Sequence, residues 1–401
     1  MLAAFVLAGV VAAPAKADYQ FAGTWGSEGS EPGEFLFPYG VAVDPSSDDV
    51  YVADSGNDRI QRFTSTGGFL DEWGSLGAGE GQFDFPQGVA INPSGDEIYV
   101  ADTLNDRIQR FAPSTEFLDE WGSAGADAGQ FDLPYGVAVA PATGDVYVAD
   151  SGNDRIQRFD ADGTFLGQWG GSGTGEGEFD FPEGVAVSSS GQVYVADTFN
   201  DRIQRFTSAG GFLGEWGSFG TGEGELRAPE GIAVDAASGE VFVADTFNHR
   251  IQKFSAAGAF LDGWGSLGTD PGQLTFPQGV AVNPSSGEVY VVEPNNYRVQ
   301  RFTAPPPPPP AVVPRARITA GPSGKTRRRT ARFKFRANVA NASFDCRLGG
   351  QRVRPGLDRW RPCSSPKRYR NLKPGRKLFQ VRATRNETTG PPAKRRWRII
   401  R

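Results

Sequence analysis

The sequence predicts an all-β protein, in which a six-bladed β-propeller closed by its N-terminal strand is followed by a small β-sandwich. Three observations predict the propeller. A unit of 47 or 48 residues recurs six times, each unit contains four strand-like segments, and one type of segment is displaced to the start of the repeats. Four-stranded repeats of roughly 40–50 residues are typical of β-propellers.

Each repeat contains four apolar segments that are separated by Gly, Pro, Ser, Asn or Asp. In the first repeat these segments span residues 37–43, 50–54, 59–63 and 69–74. They are rich in Val, Ile, Phe and Tyr, which favour strands, whereas the residues between them favour turns. The small residues of the first segment predict a thin inner strand, and the Phe and Trp of the last segment predict a wide outer strand.

The order of the segments predicts how the propeller closes. The outer-strand pattern FxxxWG occurs six times, with its tryptophans at Trp25, Trp73, Trp121, Trp169, Trp216 and Trp264. Trp25 precedes every other part of the repeats, whereas the chain enters a proline-rich stretch soon after Phe302. We therefore expect residues 19–26 to supply the outer strand of the last blade, which would remove an open sheet edge.

The segment VYVADSGNDRIQRF, Val50–Phe63, resembles the NHL repeat. The resemblance extends over six copies between Tyr19 and Phe302, and it implies a six-bladed propeller of the NHL type. Proteins of this family have very different activities, so the resemblance implies a fold and leaves the function to be argued from the site.

Asp54, Asn57 and Arg59 of the first repeat form a polar motif that recurs together with the strands. An active site needs one asymmetric group of residues, whereas a motif copied in every blade serves every blade. We therefore interpret the motif as structural, with Asp and Asn (Asn57 in the first copy) in the turn between the second and third strands. We expect the Arg to pair with a carboxylate or carbonyl across the blade junction. The structural residues are Asp54, Arg59, Asp102, Arg107, Asp150, Arg155, Asp197, Arg202, Asp245 and Arg250.

Variation between the repeats predicts where a binding site lies. It is concentrated in the connections after each WG and in the turns after each VAD, which lie on one face if the strands alternate in direction. One group of candidates precedes the inner-strand glycines, beside the central channel: Tyr39, Gln87, Tyr135, Glu183, Glu230 and Gln278. A second group occupies the turns farther out: Leu104, Phe199, Phe247, His249 and Tyr297. We expect an acidic and aromatic face that binds a protein, a peptide or a glycan.

The composition limits the chemistry that the propeller offers. His249 is the only histidine, so a multi-histidine zinc site cannot form, and we expect no catalytic residue, no metal site and no cofactor. Calcium bound by carboxylates is retained as an alternative, and so is a propeller enzyme, either a lyase or a calcium-dependent hydrolase. Residues 1–310 hold 14 Lys/Arg and 44 Asp/Glu. The resulting charge of −30 argues against nucleic-acid binding through the propeller.

The chain is predicted to contain four segments: a signal peptide (1–17), the propeller (18–303), a proline-rich linker (304–314) and a basic domain (315–401). The apolar run Leu2–Ala13 is too short to cross a membrane, and Ala15 and Ala17 form an A-x-A cleavage pattern. This pattern predicts bacterial export to a secreted or surface-associated location, with no transmembrane segment in the mature chain. Export in turn predicts a disulfide between Cys346 and Cys363.

The last domain is strongly basic, because residues 311–401 hold 27 Lys/Arg and 3 Asp/Glu, a charge of +24. Several of its segments alternate apolar and polar residues, as the half-buried strands of a β-sandwich do. The order FDCRL…WRPCSSPKRYRNLKPGRKLFQVRA resembles the Ig-like or fibronectin-III-like modules appended to bacterial surface proteins. The charge predicts attachment to anionic wall polymers. The whole chain is thus predicted to be an exported, monomeric, non-catalytic binding protein.

Overall fold

The computed structural model describes residues 19–304, 313–351, 357–385 and 388–401. The predicted signal peptide and residues 305–312 of the predicted linker lie outside the described residues. The chain divides into two compact units, residues 1–305 and 306–401. The described part of the chain contains strands and short 3₁₀ turns but no α-helix. It also contains no helix with the length and apolar character of a membrane span.

The first unit consists of six four-stranded antiparallel sheets, which we number 1 to 6 along the chain. A leading strand, β1 (Gln20–Trp25), precedes them. Sheets 1 to 3 contain β2 (Pro38–Val43), β3 (Val50–Asp54), β4 (Arg59–Phe63) and β5 (Phe69–Trp73), then β6 (Pro86–Ile91), β7 (Ile98–Asp102), β8 (Arg107–Phe111) and β9 (Phe117–Trp121), then β10 (Pro134–Val139), β11 (Val146–Asp150), β12 (Arg155–Phe159) and β13 (Phe165–Gly170). Sheets 4 to 6 contain β14 (Pro182–Val187), β15 (Val193–Asp197), β16 (Arg202–Phe206) and β17 (Phe212–Trp216), then β18 (Pro229–Val234), β19 (Val241–Asp245), β20 (Arg250–Phe254) and β21 (Phe260–Trp264), then β22 (Val280–Val282), β23 (Val289–Glu293) and β24 (Arg298–Thr303).

A 3₁₀ turn connects the second and third strands of every sheet. The six turns are Ser55–Asn57, Thr103–Asn105, Ser151–Asn153, Thr198–Asn200, Thr246–Asn248 and Pro294–Asn296. The residue after each turn has a left-handed backbone, as Asp58 does with φ of 52°. Asp tolerates this conformation better than most residues, which explains its presence at four of the six positions.

Strand β1 is the outer strand of sheet 6, where the spacing of the tryptophans predicts it. It pairs with β24 in antiparallel register, with Thr24 opposite Gln300 and Trp25 opposite Val299. The order in this sheet is therefore β1-β24-β23-β22, so its outer strand comes from the beginning of the chain and its other strands come from the end of the unit.

Neighbouring sheets pack face to face through apolar clusters. Between sheets 1 and 2, Tyr51 packs with Val100 in one cluster, and Val52 packs with Tyr290 in the cluster between sheets 1 and 6. The inner strands approach so closely that a Cβ atom on Gly40 would clash with the carbonyl of Gln87 in the next sheet. Glycine is therefore required on the inner strand, because only glycine lacks that atom.

The repeated polar motif forms one hydrogen-bonded network per sheet. In sheet 3, the fully buried carboxylate of Asp150 accepts hydrogen bonds from Arg155 Nε at 2.6 Å, from Asn153 Nδ2 at 3.0 Å and from Gln157 Nε2 at 3.0 Å. The remaining guanidinium nitrogens donate to the carbonyls of residues 126, 127 and 130, in the loop that arrives from sheet 2. Arg155 therefore binds both its own sheet and the incoming loop.

This network specifies the partners of the Arg more closely than the sequence interpretation did, and it adds one residue. The carboxylate partner of each Arg lies in the same sheet, and only its carbonyl partners come from the loop that links two sheets. The sequence interpretation missed Gln157, although this Gln is present in all six copies, as RIQ in five and as RVQ in the sixth. A buried side-chain amide of this kind needs partners for both its oxygen and its nitrogen.

The described residues of the second unit form nine strands: β25 (Ala316–Ala320), β26 (Gly324–Thr326), β27 (Ala331–Ala337), β28 (Ser343–Gly350), β29 (Arg361–Pro362), β30 (Lys367–Tyr369), β31 (Gly375–Arg385), β32 (Thr388–Thr389) and β33 (Ala393–Ile399). A small sheet has the order β25-β27-β30, and a larger sheet has the order β26-β33-β31-β28-β29, with β32 paired to β31. Both sheets contribute to one apolar core, in which the rings of Phe333 and Phe379 stack 4.0 Å apart. The predicted disulfide Cys346–Cys363 is present. The Ig-like classification stays a prediction.

Candidate functional site

The six residues that precede the inner-strand glycines meet around one cavity of about 90 Å³. We call them the channel ring: Tyr39, Gln87, Tyr135, Glu183, Glu230 and Gln278. Each sheet contributes one residue, and the adjacent glycines allow the six backbones to approach. The structure thus brings the whole first group of sequence candidates together.

The polar ends of the channel ring contact one another. The amide of Gln278 lies against the hydroxyl of Tyr39 and the carboxyl of Glu230, and the amide of Gln87 lies against the hydroxyl of Tyr135. Three oxygens of the ring, Oε1 of Gln87, Oε1 of Gln278 and Oε2 of Glu230, have no hydrogen-bond partner among the described residues. An unpaired buried acceptor costs about 1–3 kcal/mol, so the two amide oxygens favour any group that brings a donor.

The two carboxyls of the ring are shifted toward their neutral forms. Burial raises the pKa of Glu230 to about 8, although the amide of Gln278 opposes this shift. Burial first and the charge of Glu230 second raise the pKa of Glu183 well above its usual range. Both carboxyls are therefore shifted toward the protonated form, in which they can donate an O–H to a neighbouring oxygen.

The residues before the inner-strand prolines form a second layer around the channel ring. Their φ angles lie between 43° and 54°, in the left-handed region that bulky residues rarely occupy. We call them the collar: Phe37, Phe85, Leu133, Phe181, Ala228 and Phe276. The sequence interpretation missed the collar, because a residue before proline is normally extended. A side chain from the preceding sheet holds this backbone in place, as Asp154 does by accepting the N–H of Phe181 at 2.8 Å.

The collar connects the two groups of sequence candidates. The ring of Phe181 lies 5.3 Å from that of Tyr135 in the channel ring and 5.4 Å from that of Phe199 in the next turn. Tyr39 makes a similar contact with Phe85 at 5.7 Å. Aromatic side chains therefore run without a break from the channel outward to the turn of sheet 4.

The outer turns and the loops after each WG lie on the same face, which we call the loop face. The guanidinium of Arg227 lies 5.8 Å from the ring of Phe219, in a WG loop, and 5.7 Å from that of Phe247, in a turn. Large apolar side chains of this face that are between 41% and 70% exposed are Phe37, Leu76, Leu104, Phe199, Phe219, Phe247 and Leu267. The sequence interpretation missed Leu76, Phe219 and Leu267. Each is recognisable in the sequence as the apolar residue that ends a WGSL or WGSF segment.

Two of the outer candidates have structural contacts instead of exposed positions. His249 Nδ1 accepts the N–H of Phe276 at 3.1 Å, in the place where other sheets use an Asp. Tyr297 occupies the same place in sheet 6, and its ring lies 5.9 Å from that of Phe37. The structure therefore shows both residues at a junction between sheets.

The part of the chain that the structure describes contains no group of three or more His, Cys, Asp or Glu that could hold a metal ion. In the channel ring only Glu183 and Glu230 carry carboxyls, and both are shifted toward their neutral forms. Ca²⁺ takes about six to eight oxygen ligands, most often with charged carboxylates among them. The channel ring thus offers two carboxyls, two amides and two hydroxyls as oxygen donors.

Different parts of the first unit match two known families. Residues 35–63, 179–206, 226–254 and 274–302 match the NHL repeat. Residues 70–171 match the SMP-30/gluconolactonase/LRE-like region. No curated protein sequence matches the chain significantly.

Solved structures with the same architecture are distant in sequence. A streptogramin B lyase is 14% identical, with a TM-score of 0.50, over 73% of this chain and all of that one. A gluconolactonase from Xanthomonas campestris is 14% identical, with a TM-score of 0.51, over 73% of this chain and 99% of that one. A protein of unknown function from Bacteroides thetaiotaomicron is also 14% identical, with a TM-score of 0.56, over 71% of this chain and 76% of that one. At such identities the likeness shows the fold alone.

The class of the protein follows from these observations together. Six four-stranded antiparallel sheets of one repeated design, together with neighbours that are propeller proteins, define a β-propeller. The chain carries four NHL repeats, and it joins them to a second β-rich unit.

Proposed function

We propose that this is an exported, non-catalytic binding protein whose loop face captures a protein, peptide or glycan ligand, and whose basic second unit attaches it to anionic polymers of the cell envelope. The NHL propeller fold can mediate protein binding, which makes a ligand-binding propeller the simplest function for this class.

The exposed apolar side chains of the loop face carry the proposal. Phe219, Leu76 and Phe199 are 70%, 66% and 60% exposed, although each lies beside loops rich in Gly and Glu that could have held polar residues. Apolar side chains that cluster on one face and are rimmed by polar residues mark interaction sites. Aromatic residues of this kind supply most of the binding energy at interfaces.

The channel ring supplies the polar part of the same site. The unpartnered oxygens belong to Gln87, Gln278 and Glu230, which line the channel cavity. The aromatic contacts of Phe181 with Tyr135 and Phe199 connect this cavity to the exposed side chains of the face. A ligand that covers the face and presents a hydrogen-bond donor to the channel would satisfy both sets of groups. The charge of −30 on residues 1–310 favours a ligand with cationic or neutral groups.

A matched pair of variants tests the loop face. The full chain is screened against arrays of peptides and of glycans, and the strongest hit is measured again with the variant Leu104→Ala/Phe199→Ala/Phe219→Ala. We expect affinity to fall at least 100-fold, since each aromatic anchor contributes about 2 kcal/mol or more. The control is Leu118→Ala/Leu166→Ala/Leu213→Ala, on exposed outer-strand positions. Equal losses in both variants, or none in either, would contradict the proposal.

A second candidate function is a propeller enzyme, a lyase or a hydrolase, which the SMP-30/gluconolactonase match and the carboxyl pair of the channel ring favour. Two neighbouring carboxyls with raised pKa values are suited to general acid and base catalysis. A panel of lactones and of lyase substrates, with and without added Ca²⁺, distinguishes the two functions. Turnover that is lost in Glu230→Gln while the fold is retained would establish the enzyme and overturn the proposed non-catalytic function.

Export is supported by the A-x-A pattern at residues 15–17 and by the disulfide of the second unit, which forms in oxidising compartments. The measurement is the N-terminal residue of protein recovered from outside a bacterial host. We expect Asp18, the residue after Ala17. A protein that remains inside the cell with its first 17 residues intact would contradict this part of the proposal.

A further inference from the structure

The small sheet of the second unit presents a regular array of cations. Its middle strand, β27, alternates buried Ala331, Phe333 and Phe335 with three exposed cationic residues. The exposed positions hold Arg332, Lys334 and Arg336. Since the buried residues belong to the core, the register of β27 is fixed and the three cations must point outward.

The neighbouring strands extend this array instead of neutralising it. Arg317 of β25 lies directly opposite Arg336, and Arg368 of β30 lies directly opposite Arg332. Like charges directly opposite each other destabilise a sheet. We call the five exposed cations the basic ladder: Arg317, Arg332, Lys334, Arg336 and Arg368.

Among the described residues of the second unit, no acidic side chain pairs with the basic ladder. The three acidic residues beyond position 310 are Asp345, Asp358 and Glu387, and none belongs to β25, β27 or β30. Asp345 pairs with Arg382 on the larger sheet. The side chains of the five ladder residues have no ion pair or hydrogen bond with any residue that the structure describes, so their charges are available to an external anion.

We infer that the basic ladder is a binding site for a linear polymer that carries regularly spaced phosphate groups and no bases. Outward positions on one strand are about 6.7 Å apart, and adjacent strands are about 4.8 Å apart. The five cations therefore cover an area of about 13 by 10 Å, over which a flexible chain can place several phosphates. Four of the five are arginines, whose planar guanidinium groups bind phosphate through two parallel hydrogen bonds. This inference rests on the proposed attachment of the second unit to anionic polymers.

The composition of the face favours this polymer over a protein or a nucleic acid. Val313 is the only large apolar residue of the second unit that is exposed among those described, so the ladder lacks the apolar anchors of a protein interface. Single-stranded nucleic acids are held by bases stacked on aromatic rings. The aromatic residues of the small sheet, Phe333, Phe335 and Tyr369, are buried, so none is available for stacking.

The test measures binding of the full chain to fluorescent inorganic polyphosphate as a function of salt. Binding that uses about five phosphates should give a slope near −3.5 in log K against log salt, since each phosphate of a single strand contributes about −0.7. Affinity should therefore fall roughly 100-fold between 50 and 200 mM salt. Single-stranded DNA and polyglutamate of equal charge are measured in parallel. Tighter binding of the DNA would indicate a nucleic-acid site, and equal binding of polyglutamate would overturn the preference for phosphate.

Two charge-matched variants locate the site. The ladder variant is Arg317→Gln/Arg332→Gln/Lys334→Gln/Arg336→Gln/Arg368→Gln, and the control on the larger sheet is Lys325→Gln/Arg376→Gln/Lys394→Gln/Arg396→Gln/Arg398→Gln, all at exposed positions. We expect the ladder variant to lose at least 100-fold in affinity and the control less than 10-fold, with the melting temperature of the ladder variant unchanged or raised. Equal losses would overturn the ladder but leave polymer attachment intact. No binding by the unmodified chain at 50 mM salt would overturn both, while the propeller assay would remain unaffected.

Discussion

The Nδ1 atom of His249 accepts a hydrogen bond from the backbone N–H of Phe276 in the next sheet, over 3.1 Å. At four other junctions an aspartate makes the same contact, for example Asp106 with the N–H of Leu133 at 3.0 Å. The neutral imidazole of the only histidine in the chain therefore replaces a carboxylate at one junction of an otherwise repeated structure. This contact holds the left-handed collar residue Phe276 in place.

We expect the stability of the fold to decrease through His249 as the pH falls below about 6.5. Burial first and the charge of Arg227 second lower the pKa of His249, because the folded protein favours the neutral ring. The unfolded-state pKa is about 6.5, so this contribution is complete above that pH and is lost as the pH falls toward the lower folded-state pKa. Its size should be less than about 1 kcal/mol, since the ring is partly exposed and one hydrogen bond is involved.

The variant His249→Asp tests this assignment. It restores the side chain found at the four equivalent junctions, and it should raise the melting temperature relative to the unmodified protein at pH 5.5 while changing it little at pH 7.5. Thermal unfolding at both pH values is the measurement. A difference that does not vary with pH would show that protonation of His249 is not the cause.

Arg155→Ala should destabilise the propeller by about 3–5 kcal/mol. Removal of the guanidinium leaves the fully buried carboxylate of Asp150 without its charge partner and removes three hydrogen bonds to carbonyls of the incoming loop. Arg155→Lys should recover only part of this loss, because an ammonium group cannot reproduce the two-sided contacts of the guanidinium. The measurement is chemical denaturation, followed by the fluorescence of the propeller tryptophans.

Arg158 provides the control on the same strand. Its guanidinium pairs with Asp145, and both side chains retain contact with solvent. Arg158→Ala should therefore cost no more than about 1 kcal/mol. Similar losses for the two alanine variants would contradict the central role of Arg155.

The junction between sheets 6 and 1 should open more readily than the other five. At those five, a Ser or Thr hydroxyl donates to the carbonyl of the next inner-strand proline, as Thr198 does to Pro229 at 2.9 Å. Pro294 replaces this hydroxyl residue in sheet 6, and Tyr297 replaces the aspartate. Both polar contacts are therefore absent from this junction among the described residues. Amide hydrogen exchange by mass spectrometry should be faster for β22 than for β18, and equal rates would contradict the prediction.

The fold was predictable from the sequence because periodicity reports directly on repeated packing. The positions of Trp25 and Phe302 alone were enough to place β1 in sheet 6, and the residues before each GVAV glycine were enough to place the channel ring. The collar was not predictable, since the left-handed backbone of Phe181 depends on the carboxylate of Asp154 in another sheet. A contact between sheets joins residues that are far apart in the chain, so the local sequence does not identify the partner. For the same reason, the role of His249 as an acceptor for the N–H of Phe276 becomes visible only in the structure.

Trp25→Ala should release the leading strand without unfolding the other sheets. The ring of Trp25 lies 5.8 Å from that of Phe63 and 6.0 Å from that of Tyr290, so it holds β1 against sheets 1 and 6. Trp121 has equivalent contacts at 5.8 and 6.1 Å, but β9 is joined to the repeats at both ends. Limited proteolysis should therefore cleave residues 19–26 selectively in Trp25→Ala and not in Trp121→Ala. Identical cleavage patterns would contradict the prediction.

Deletion of residues 19–26 should lower both the melting temperature and the solubility. Sheet 6 would lose one of its four strands, including the pairs of Thr24 with Gln300 and of Trp25 with Val299. The backbone of β24 would then become an exposed edge, and such edges promote association between chains. Removing apolar contacts of this size costs several kcal/mol, so we expect melting at least roughly 10 °C lower, with a concentration-dependent increase in light scattering. Unchanged melting together with unchanged solubility would show that the leading strand does not hold the ends of the propeller together.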